Sequence, residues 1–376
     1  WAFAAICLTI IWKTSSFMAL ILLAGLQMIP RSLYEAAEVD GANKWQQFWQ
    51  ITIPMLMPSI IVALIFRTIT ALQTFDIPYT MTRGGPALTG AVATTAPRAP
   101  VAAWTFTASG PISGEAAIAD GRVFIGDTLT NFFALDAKTG AKLWSQGFDD
   151  KIKSSANWIS GTNGSSTNII VGGYDFRLYS LEASTGKSNW VYETGNYING
   201  SPAISRGRTA FGGCDAIVHV VDVVGGKKLR EIEAGAYIAA SGAMAGDLLY
   251  VGHYENELLC VDVEEGKILW KYRDRAFPFM SSPAVTADRV LIGSRDKRLH
   301  CIQRADGKPI WTFQTRGKVE SSPVVAGDRV IVGSDDGRLY IVSLADGKER
   351  WNYELGQPIQ SSPAVVDGHI VIGCDD

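Results

Sequence analysis

The sequence is poor in histidine, with four in 376 residues, and it carries no excess of basic charge: 34 Lys and Arg against 37 Asp and Glu leave a net charge of −3. Four histidines argue against a multi-histidine metal centre. The slightly negative balance lacks the basic field that holds nucleic acid. Cysteine is scarce too: Cys7, Cys214, Cys260, Cys301 and Cys374 include no CxxC and no adjacent pair. Cys260 and Cys301 each stand ten residues before a Trp, at one repeat position. Equivalent positions on neighbouring repeats are too far apart for a disulfide, so both read as small core residues. An initiator methionine is also missing. The chain opens at Trp1 and closes at Asp376 inside a repeat, and is expected to be a fragment at both ends.

At this length the chain has room for two domains with sizeable cores, and its two parts differ in character. Residues 1–29 are apolar apart from Lys13 and a Thr/Ser cluster. A second apolar run, about 55–78, is broken only by Arg67, Gln73 and Asp76. At about 1.5 Å per helical residue, each is long enough to cross a hydrocarbon core of about 30 Å. Their Trp residues and the lack of other core-forming segments nearby favour two membrane spans over a buried helical pair. Lys13 and Arg67 would then face a bundle interior, which implies partner helices.

Between these runs lies a polar loop, residues 30–54. It holds Glu35-Ala36-Ala37, then Asp40-Gly41-Ala42, then Phe48, Ile51 and Pro54, with Pro58 just beyond. Trp12-Lys13, Phe17, Ala24-Gly25-Leu26-Gln27 and Pro30 precede it, and Arg83-Gly84-Gly85-Pro86 follows. Across this stretch the sequence resembles the inner-membrane permeases of binding-protein-dependent ABC importers, the sugar type in particular. The loop resembles their EAA element. Two short helices can form, split at Gly41, where glycine permits the backbone to reverse. Tyr34, Ala36, Ala37 and Val39 would offer a small apolar knob, with Glu35, Glu38 and Asp40 solvated.

The resemblance implies that the loop lies in the cytoplasm, in a groove of an ATP-hydrolysing subunit, and passes nucleotide-driven closure to the membrane helices. On that footing Glu35, Ala36, Ala37, Asp40, Gly41, Ala42, Ile51 and Pro54 couple rather than catalyse. It implies a second permease subunit and a periplasmic solute-binding protein as further partners. Family members use more spans than these two, and the pattern stops at about Ala87, so the segment alone encloses no pathway.

Residues 87–103 (ALTGAVATTAPRAPVAA) are small, rich in Thr, Pro and Ala, and without helical period. They read as a linker or the scar of a fusion. With the coupling loop in the cytoplasm, one more crossing delivers residue 80 onward to the periplasmic side of a bacterial inner membrane. Two misjoined gene fragments would give the same layout, and both readings stay open.

From residue 104 the chain repeats at a period near forty. The pairs Gly126–Trp144, Gly172–Trp190, Gly212–Arg230, Gly252–Trp270, Gly293–Trp311 and Gly333–Trp351 share one spacing. Four strand-like runs per unit at this period are the signature of a β-propeller. In the last full copy the runs are 321–326, 329–334, 338–344 and 350–355, separated by Gly or Asp-Gly turns. The purest copy of the third-to-fourth connection, Ala134 to Trp144, reads Ala-x-Asp-x-x-Thr-Gly-x-x-x-Trp.

Its glycine recurs as Gly140, Gly186, Gly226, Gly266, Gly307 and Gly347, and its ring as Trp104, Trp144, Trp190, Trp270, Trp311 and Trp351. This resembles the tryptophan-docking repeat of the quinoprotein-like, BamB-type propellers. That superfamily holds both pyrroloquinoline quinone (PQQ) dehydrogenases and non-catalytic assembly lipoproteins. No Trp-Asp dipeptide ends the third strand, which sets the WD40 repeat aside. A flat ring can wedge between blades, and Gly four residues before it permits the tight turn, so the whole set reads as structural glue. Six near-complete copies and a partial seventh, residues 359–376, suggest seven or eight blades. The second copy carries six extra residues within Asn157 to Asn168, where a binding loop would sit.

Asp175, Asp215, Glu255, Asp296, Asp336 and Asp376 fall three residues after successive repeat glycines. A carboxylate ring suggests a metal site, but hairpin-turn residues accepting backbone N–H groups are the favoured reading. Ser281, Ser321 and Ser361 open the inner strands and read as channel-solvating residues, since no histidine keeps step with them. His253, His300 and His369 occupy different repeat positions, so no histidine ring is expected. A PQQ enzyme needs an aromatic floor, Ca²⁺ held by Glu, Asn and Asp, and an Asp base. No copy departs from the repeat to supply that set.

The expected fold is therefore a partial α-helical transmembrane domain (1–86), a junction (87–103) and an all-β propeller of four-stranded blades (104–376). The expected role is a non-catalytic module presenting a face to a protein or glycan partner, with no assignable cofactor. The alternatives are a PQQ-dependent dehydrogenase propeller with calcium, and an artefactual join.

Overall fold

The computed structural model describes residues 26–27, 29–57, 87–89, 104–160, 167–366 and 369–374. The chain divides into two compact units, Trp1–Ile77 and Pro78–Asp376. The expected spans, most of the junction, the tip of the second-copy insertion and Asp376 lie outside the described residues. Among the described residues, no helix is long and apolar enough to cross a membrane.

In the first unit the polar loop folds as a helical hairpin. Helix α1, Arg31–Val39, ends at Asp40, and Gly41 at φ +77° reverses the chain. Asn43 opens helix α2, Lys44–Gln47, with a capping box: its side chain accepts from Gln46 N, and the Gln46 side chain accepts from Asn43 N. A π-type turn, Phe48–Thr52, follows before the helix resumes to Met57. Pro54 accounts for that widening. It has no N–H to return to the Gln50 carbonyl, and its ring would collide with that carbonyl in a regular α-turn. A hydrogen bond of 2.8 Å between Tyr34 Oη and Thr52 Oγ1 ties the two arms together.

The second unit is built from antiparallel sheets whose strands pair in chain order. The first sheet comprises Ala117–Ala119, Arg122–Gly126, Asn131–Asp136 and Lys142–Gly147. Five more four-stranded sheets span 157–193, 203–233, 243–272, 284–314 and 324–354, and Ala364–Val366 with His369–Val371 form a two-stranded seventh. First strands of neighbouring sheets lie side by side, so they form the inner edge of a propeller-like array.

Burial follows strand position. Ile169, Ile170 and Val171 in a second strand are fully buried, whereas the fourth strand Lys142–Gly147 is mostly exposed. The core consequently lies between sheets, as where Ala210, Val218 and Val220 of the third meet Met244, Leu249 and Val261 of the fourth. Each such side chain contributes about 1.5–3 kcal/mol by leaving water. In all six complete sheets the register between third and fourth strands slips at the docking residue: Ala134 faces Trp144, but Leu135 faces Lys142. The extra residue, Leu143 in the first sheet, makes a bulge that turns the docking ring out of the strand plane.

In the sixth sheet the strands agree with the sequence reading to about one residue, except that the first begins at Val324 rather than Ser321. The hydroxyls of Ser321 and Ser322 explain the shortening, because both are committed outside the ladder. Within the junction, Ala87–Thr89 lies against the inner strands. The Ala87 carbonyl accepts from Met244 N at 2.8 Å and the Thr89 carbonyl from Val285 N at 3.0 Å. Between them Leu88, at φ +56°, is fully buried in the core shared by the third and fourth sheets.

Candidate functional site

On the helical hairpin, Glu35, Ala36, Asp40, Gly41 and Pro54 are exposed, while Ala37, Ala42 and Ile51 are half-buried. A Cβ on Gly41 would meet nothing within 4 Å, so the turn needs glycine for its φ and not for space. Glu38 pairs with Lys44 across the turn, and that ammonium holds its carboxyl below the usual range. Tyr34 departs from the expected apolar knob: its hydroxyl turns inward to Thr52, leaving Val39, 88% exposed, as the projecting apolar side chain. Sequence reasoning named Phe48 but passed over Trp45 and Trp49, whose i, i+3, i+4 spacing puts all three on one helical face. All three are exposed; Trp45 stacks on Phe48 at 5.9 Å and Phe48 meets Trp49 edge-on at 5.4 Å.

In the propeller each docking ring serves the next sheet. Trp104, Trp144, Trp190, Trp270 and Trp311 donate Nε1–H to the carbonyls of Ala137, Ala183, Val223, Arg304 and Leu344 at 3.0–3.1 Å. The same rings cover Gly140, Gly186, Gly226, Gly307 and Gly347, where a Cβ would stand 2.5–2.7 Å from indole carbons. These glycines have φ of +67° to +75°, so one residue supplies both a tight turn and a ring-sized gap. Arg230 replaces the ring over Gly266 with its aliphatic stem. Trp351 is 45% exposed and stacks on Tyr353. It borders a cleft of 990 Å³ between the sixth and seventh sheets, lined by Leu339, Ile341, Tyr353, Leu355 and Ile370. Beneath the rings, Cys260 and Cys301 are fully buried and free, and burial pushes their thiols up to about 11 and about 12.

Of the serines expected to solvate a channel, Ser281 and Ser321 are buried and Ser361 is exposed, and Ser361 bonds the backbone of Gly373. Ser154, Ser281 and Ser321 are buried, and their hydroxyls bond the backbone of the repeat glycines Gly172, Gly293 and Gly333. The serine one residue further on, which follows Gly200 and Ala240 in the third and fourth copies, links neighbouring sheets. Ser155 Oγ accepts from Glu115 N, Ser201 Oγ from Ser155 N, Ser241 Oγ from Ser201 N, Ser282 Oγ from Ser241 N, and Ser322 Oγ from Ser282 N. These bonds of 2.8–3.2 Å form a continuous staple across six sheets. Burial forces this outcome, because each inner-edge N–H needs a partner and a serine hydroxyl is the nearest one that fits.

The acidic series behaves as turn residues. Asp175, Asp215 and Asp336 accept the N–H groups of Arg177, Ile217 and Arg338, while the longer Glu255 stays exposed. Seven residues after the repeat glycine stands a ring that reaches back to this carboxylate. Tyr179 and Tyr340 donate their hydroxyls to Asp175 and Asp336, while His219 Nε2 lies 2.8 Å from Asp215 and His300 Nε2 lies 3.2 Å from Asp296. His219 was missed in the sequence, and it shares its repeat position with His300; subtracting the repeat glycine from each number reveals the match. Each imidazole also touches a buried tyrosine through Nδ1, Tyr192 or Tyr272, at 3.0 Å.

Asp274, Asp296 and His300 bring three ligand-capable atoms within 4.8 Å. A cation there would have to break the His300–Asp296 bond and compete with Arg298 for Asp274.

One sector of the face carrying these turns breaks the repeat. Tyr174 and Tyr197 stack at 4.7 Å, Phe176 packs edge-on against Tyr197 at 5.1 Å, and Tyr237 and Tyr254 stand exposed on the following sheets. The ammonium groups of Lys151 and Lys153 sit 4.8 and 5.2 Å from the Tyr174 ring centroid. At the same two hairpin positions the fifth sheet has Arg295 and Lys297, and the sixth Asp335 and Gly337.

Comparison with known proteins separates the two units. The family described as "Beta-alanine-activating enzyme, beta-propeller" matches residues 108–367, and "Binding-protein-dependent transport system inner membrane component" matches residues 1–108. The sulfoquinovosyl glycerol transport system permease protein SmoG of Agrobacterium fabrum is 81% identical over 86 residues, 23% of this chain and 28% of that protein. The trehalose/maltose transport system permease protein MalF of Thermococcus litoralis is 59% identical over 85 residues, 23% of this chain and 29% of that protein. The chain thus spans under a third of the length of these curated relatives. Among solved structures, BamB from Moraxella catarrhalis superposes with a TM-score of 0.60 at 23% identity, covering 72% of this chain and 83% of that one. A computationally designed protein, Ika8, does so at 0.54 and 13% identity, covering 71% and 94%. Both likenesses concern the fold.

Proposed function

The chain belongs to the family described as the β-propeller of the beta-alanine-activating enzyme, and from that premise we propose that its propeller is a non-catalytic binding module carried by a segment of a sugar ABC importer permease. The observation that carries this reading is the helical hairpin. Glu35, Ala36, Asp40 and Gly41 stand exposed on a support made rigid by the Tyr34–Thr52 bond and the Asn43 cap. A rigid, solvent-facing loop is what a neighbouring ATP-hydrolysing subunit needs in order to push on the membrane helices. The exposed Trp45, Phe48 and Trp49 add apolar area of the kind that subunit interfaces bury. A second permease subunit and a solute-binding protein complete the assembly in this reading. It puts the complete propeller, of seven or eight blades, on the periplasmic side of a bacterial inner membrane.

The propeller chemistry supports binding over catalysis. The carboxylates of Asp175, Asp215 and Asp336, the imidazoles of His219 and His300 and the staple serines are bonded to the backbone or to a neighbouring side chain, and the docking rings hold sheet to sheet. The aromatic sector stands outside these duties, with Phe176 and Tyr197 exposed.

Topology provides the test. Cys374 is exposed and Cys214 half-buried, so a Cys214→Ser background leaves Cys374 as the reactive propeller thiol. A membrane-impermeant maleimide applied to spheroplasts should label Cys374 without lysis. Labelling only after lysis would put the propeller in the cytoplasm and end the reading. Co-purification of the full chain with the ATP-hydrolysing subunit of a sugar importer, abolished by Glu35→Lys, tests the coupling loop separately.

A further inference from the structure

Building on the reading of the propeller as a binding module, we infer that the Tyr174–Phe176–Tyr197 cluster with Lys151 and Lys153 is a site for a saccharide bearing an acidic group. Two independent observations meet there. The first is a large exposed ring at a left-handed turn. The fourth residue after each repeat glycine adopts a left-handed conformation in all six sheets: Thr130, Phe176, Ala216, Asn256, Lys297 and Gly337 have φ of +63° to +79°. A bulky ring is the poorest occupant of that conformation short of a β-branched residue. Phe176 nevertheless holds it while 41% exposed, with its ring edge-on against Tyr197. The left-handed turn belongs to the repeat, and this copy alone sets a large exposed ring on it, where the others have Thr130, Ala216, Asn256, Lys297 and Gly337.

The second observation is charge. The Lys151 and Lys153 ammonium groups both lie over the Tyr174 ring, and neither forms an ion pair among the described residues. Nearby, Asp149 is engaged by Arg177, and Asp150 accepts from the Lys151 backbone N–H. Two cations without a carboxylate partner, beside a solvent-facing aromatic step, suit a ligand with one anionic group next to a flat apolar face. A pyranose ring stacks its C–H face on tyrosine or phenylalanine, and a sulfonate, sulfate or carboxylate on it would draw both ammonium groups. Amide side chains close by add polar partners, since Asn196 and Asn199 reach Cys214 beside Tyr197. Such a site would hold the acidic sugar at the propeller face without chemical change.

The full chain in nanodiscs, titrated calorimetrically with glucose 6-sulfate, glucose and inorganic sulfate, tests this. Glucose 6-sulfate should bind at least about tenfold more tightly than either of the others. Phe176→Gly, which relieves the left-handed strain and so keeps the fold, should weaken it about tenfold. Lys151→Gln with Lys153→Gln should abolish the preference for the charged sugar while keeping residual glucose binding. Equal binding of inorganic sulfate, unchanged affinity in Phe176→Gly, or no binding of any probe would overturn the inference. If Cys374 is labelled from outside and no probe binds, the site fails while the periplasmic binding module stands.

Discussion

The indole of Trp144 donates Nε1–H to the Ala183 carbonyl at 3.0 Å while its face covers Gly186, so one side chain fixes the second sheet against the first. Gly186→Ala must therefore fail twice. Its Cβ would lie 2.6 Å from Trp144 Cε3, and alanine is strained at φ +74°. The conformational part costs about 1–2 kcal/mol and overpacking adds about 1–3 kcal/mol. Gly121→Ala isolates the first part, because Gly121 has φ +70° and nothing within 4 Å of a Cβ. Urea unfolding should rank Gly186→Ala as the more destabilised of the two. Equal losses would mean that the ring gives way and the glycine serves the turn alone.

The serine staple makes a similar claim about hydrogen bonds. Ser201→Ala removes the acceptor of the Ser155 N–H, which is buried and has no water to turn to. Leaving such a donor unpaired costs about 1–3 kcal/mol. Hydrogen exchange at the Ser155 amide should accelerate accordingly, with amides in the fifth and sixth sheets unchanged. Unaltered protection at Ser155 would show that the staple is incidental to the fold.

Much of this architecture was legible in the chain because glycine and tryptophan punctuate it at fixed spacing. What escaped was which copy each residue serves. Gly140 and Trp144 sit four residues apart, and spacing alone suggests a local turn; the ring over Gly140 in fact comes from Trp104 in the preceding copy. Ser155 and Ser201 likewise look like solvent-facing strand starts until their N–H partners across the sheets are known. The Phe176 strain has no sequence signature, since threonine, alanine, asparagine, lysine and glycine occupy the same left-handed position. The helical hairpin was readable from Gly41 and Asn43, but the π-type turn ahead of Pro54 depends on a helix continuing through a proline.

His253 gives the propeller a pH dependence with a definite sign. Burial is the main cause holding its imidazole below the usual histidine range, and Lys271 acts in the same direction. Glu257 and Glu255 oppose it only in part. A histidine depressed in the folded state is protonated first in the unfolded chain, so stability is complete above the unfolded value of about 6.5 and declines as pH falls below it. The Glu255 N–H donates to Nδ1, which fixes the neutral ring with its proton on Nε2. His253→Asn should flatten the fall in melting temperature between about pH 7 and pH 5.5 relative to the parent. An identical pH profile would exclude His253 as its source.

Leu88 bears on whether the junction belongs to the propeller. An idle linker would leave this side chain in water, yet it is fully buried, and the carbonyls on either side of it are taken by Met244 and Val285. Both amides belong to inner-strand edges that pair with no other strand among the described residues, so Ala87–Thr89 satisfies these donors. Leu88→Ala should cost about 2–3 kcal/mol, near the low end for a buried leucine, because its neighbours can close partly over the gap. Leu88→Asp should go further, burying a carboxylate with no partner, and should release the Met244 and Val285 amides to rapid exchange. The discriminating result is the pattern of that exchange. Loss of protection confined to these two amides identifies the triplet as a built part of the propeller. Full protection in Leu88→Asp would mean that the inner edges of the fourth and fifth sheets hold without it.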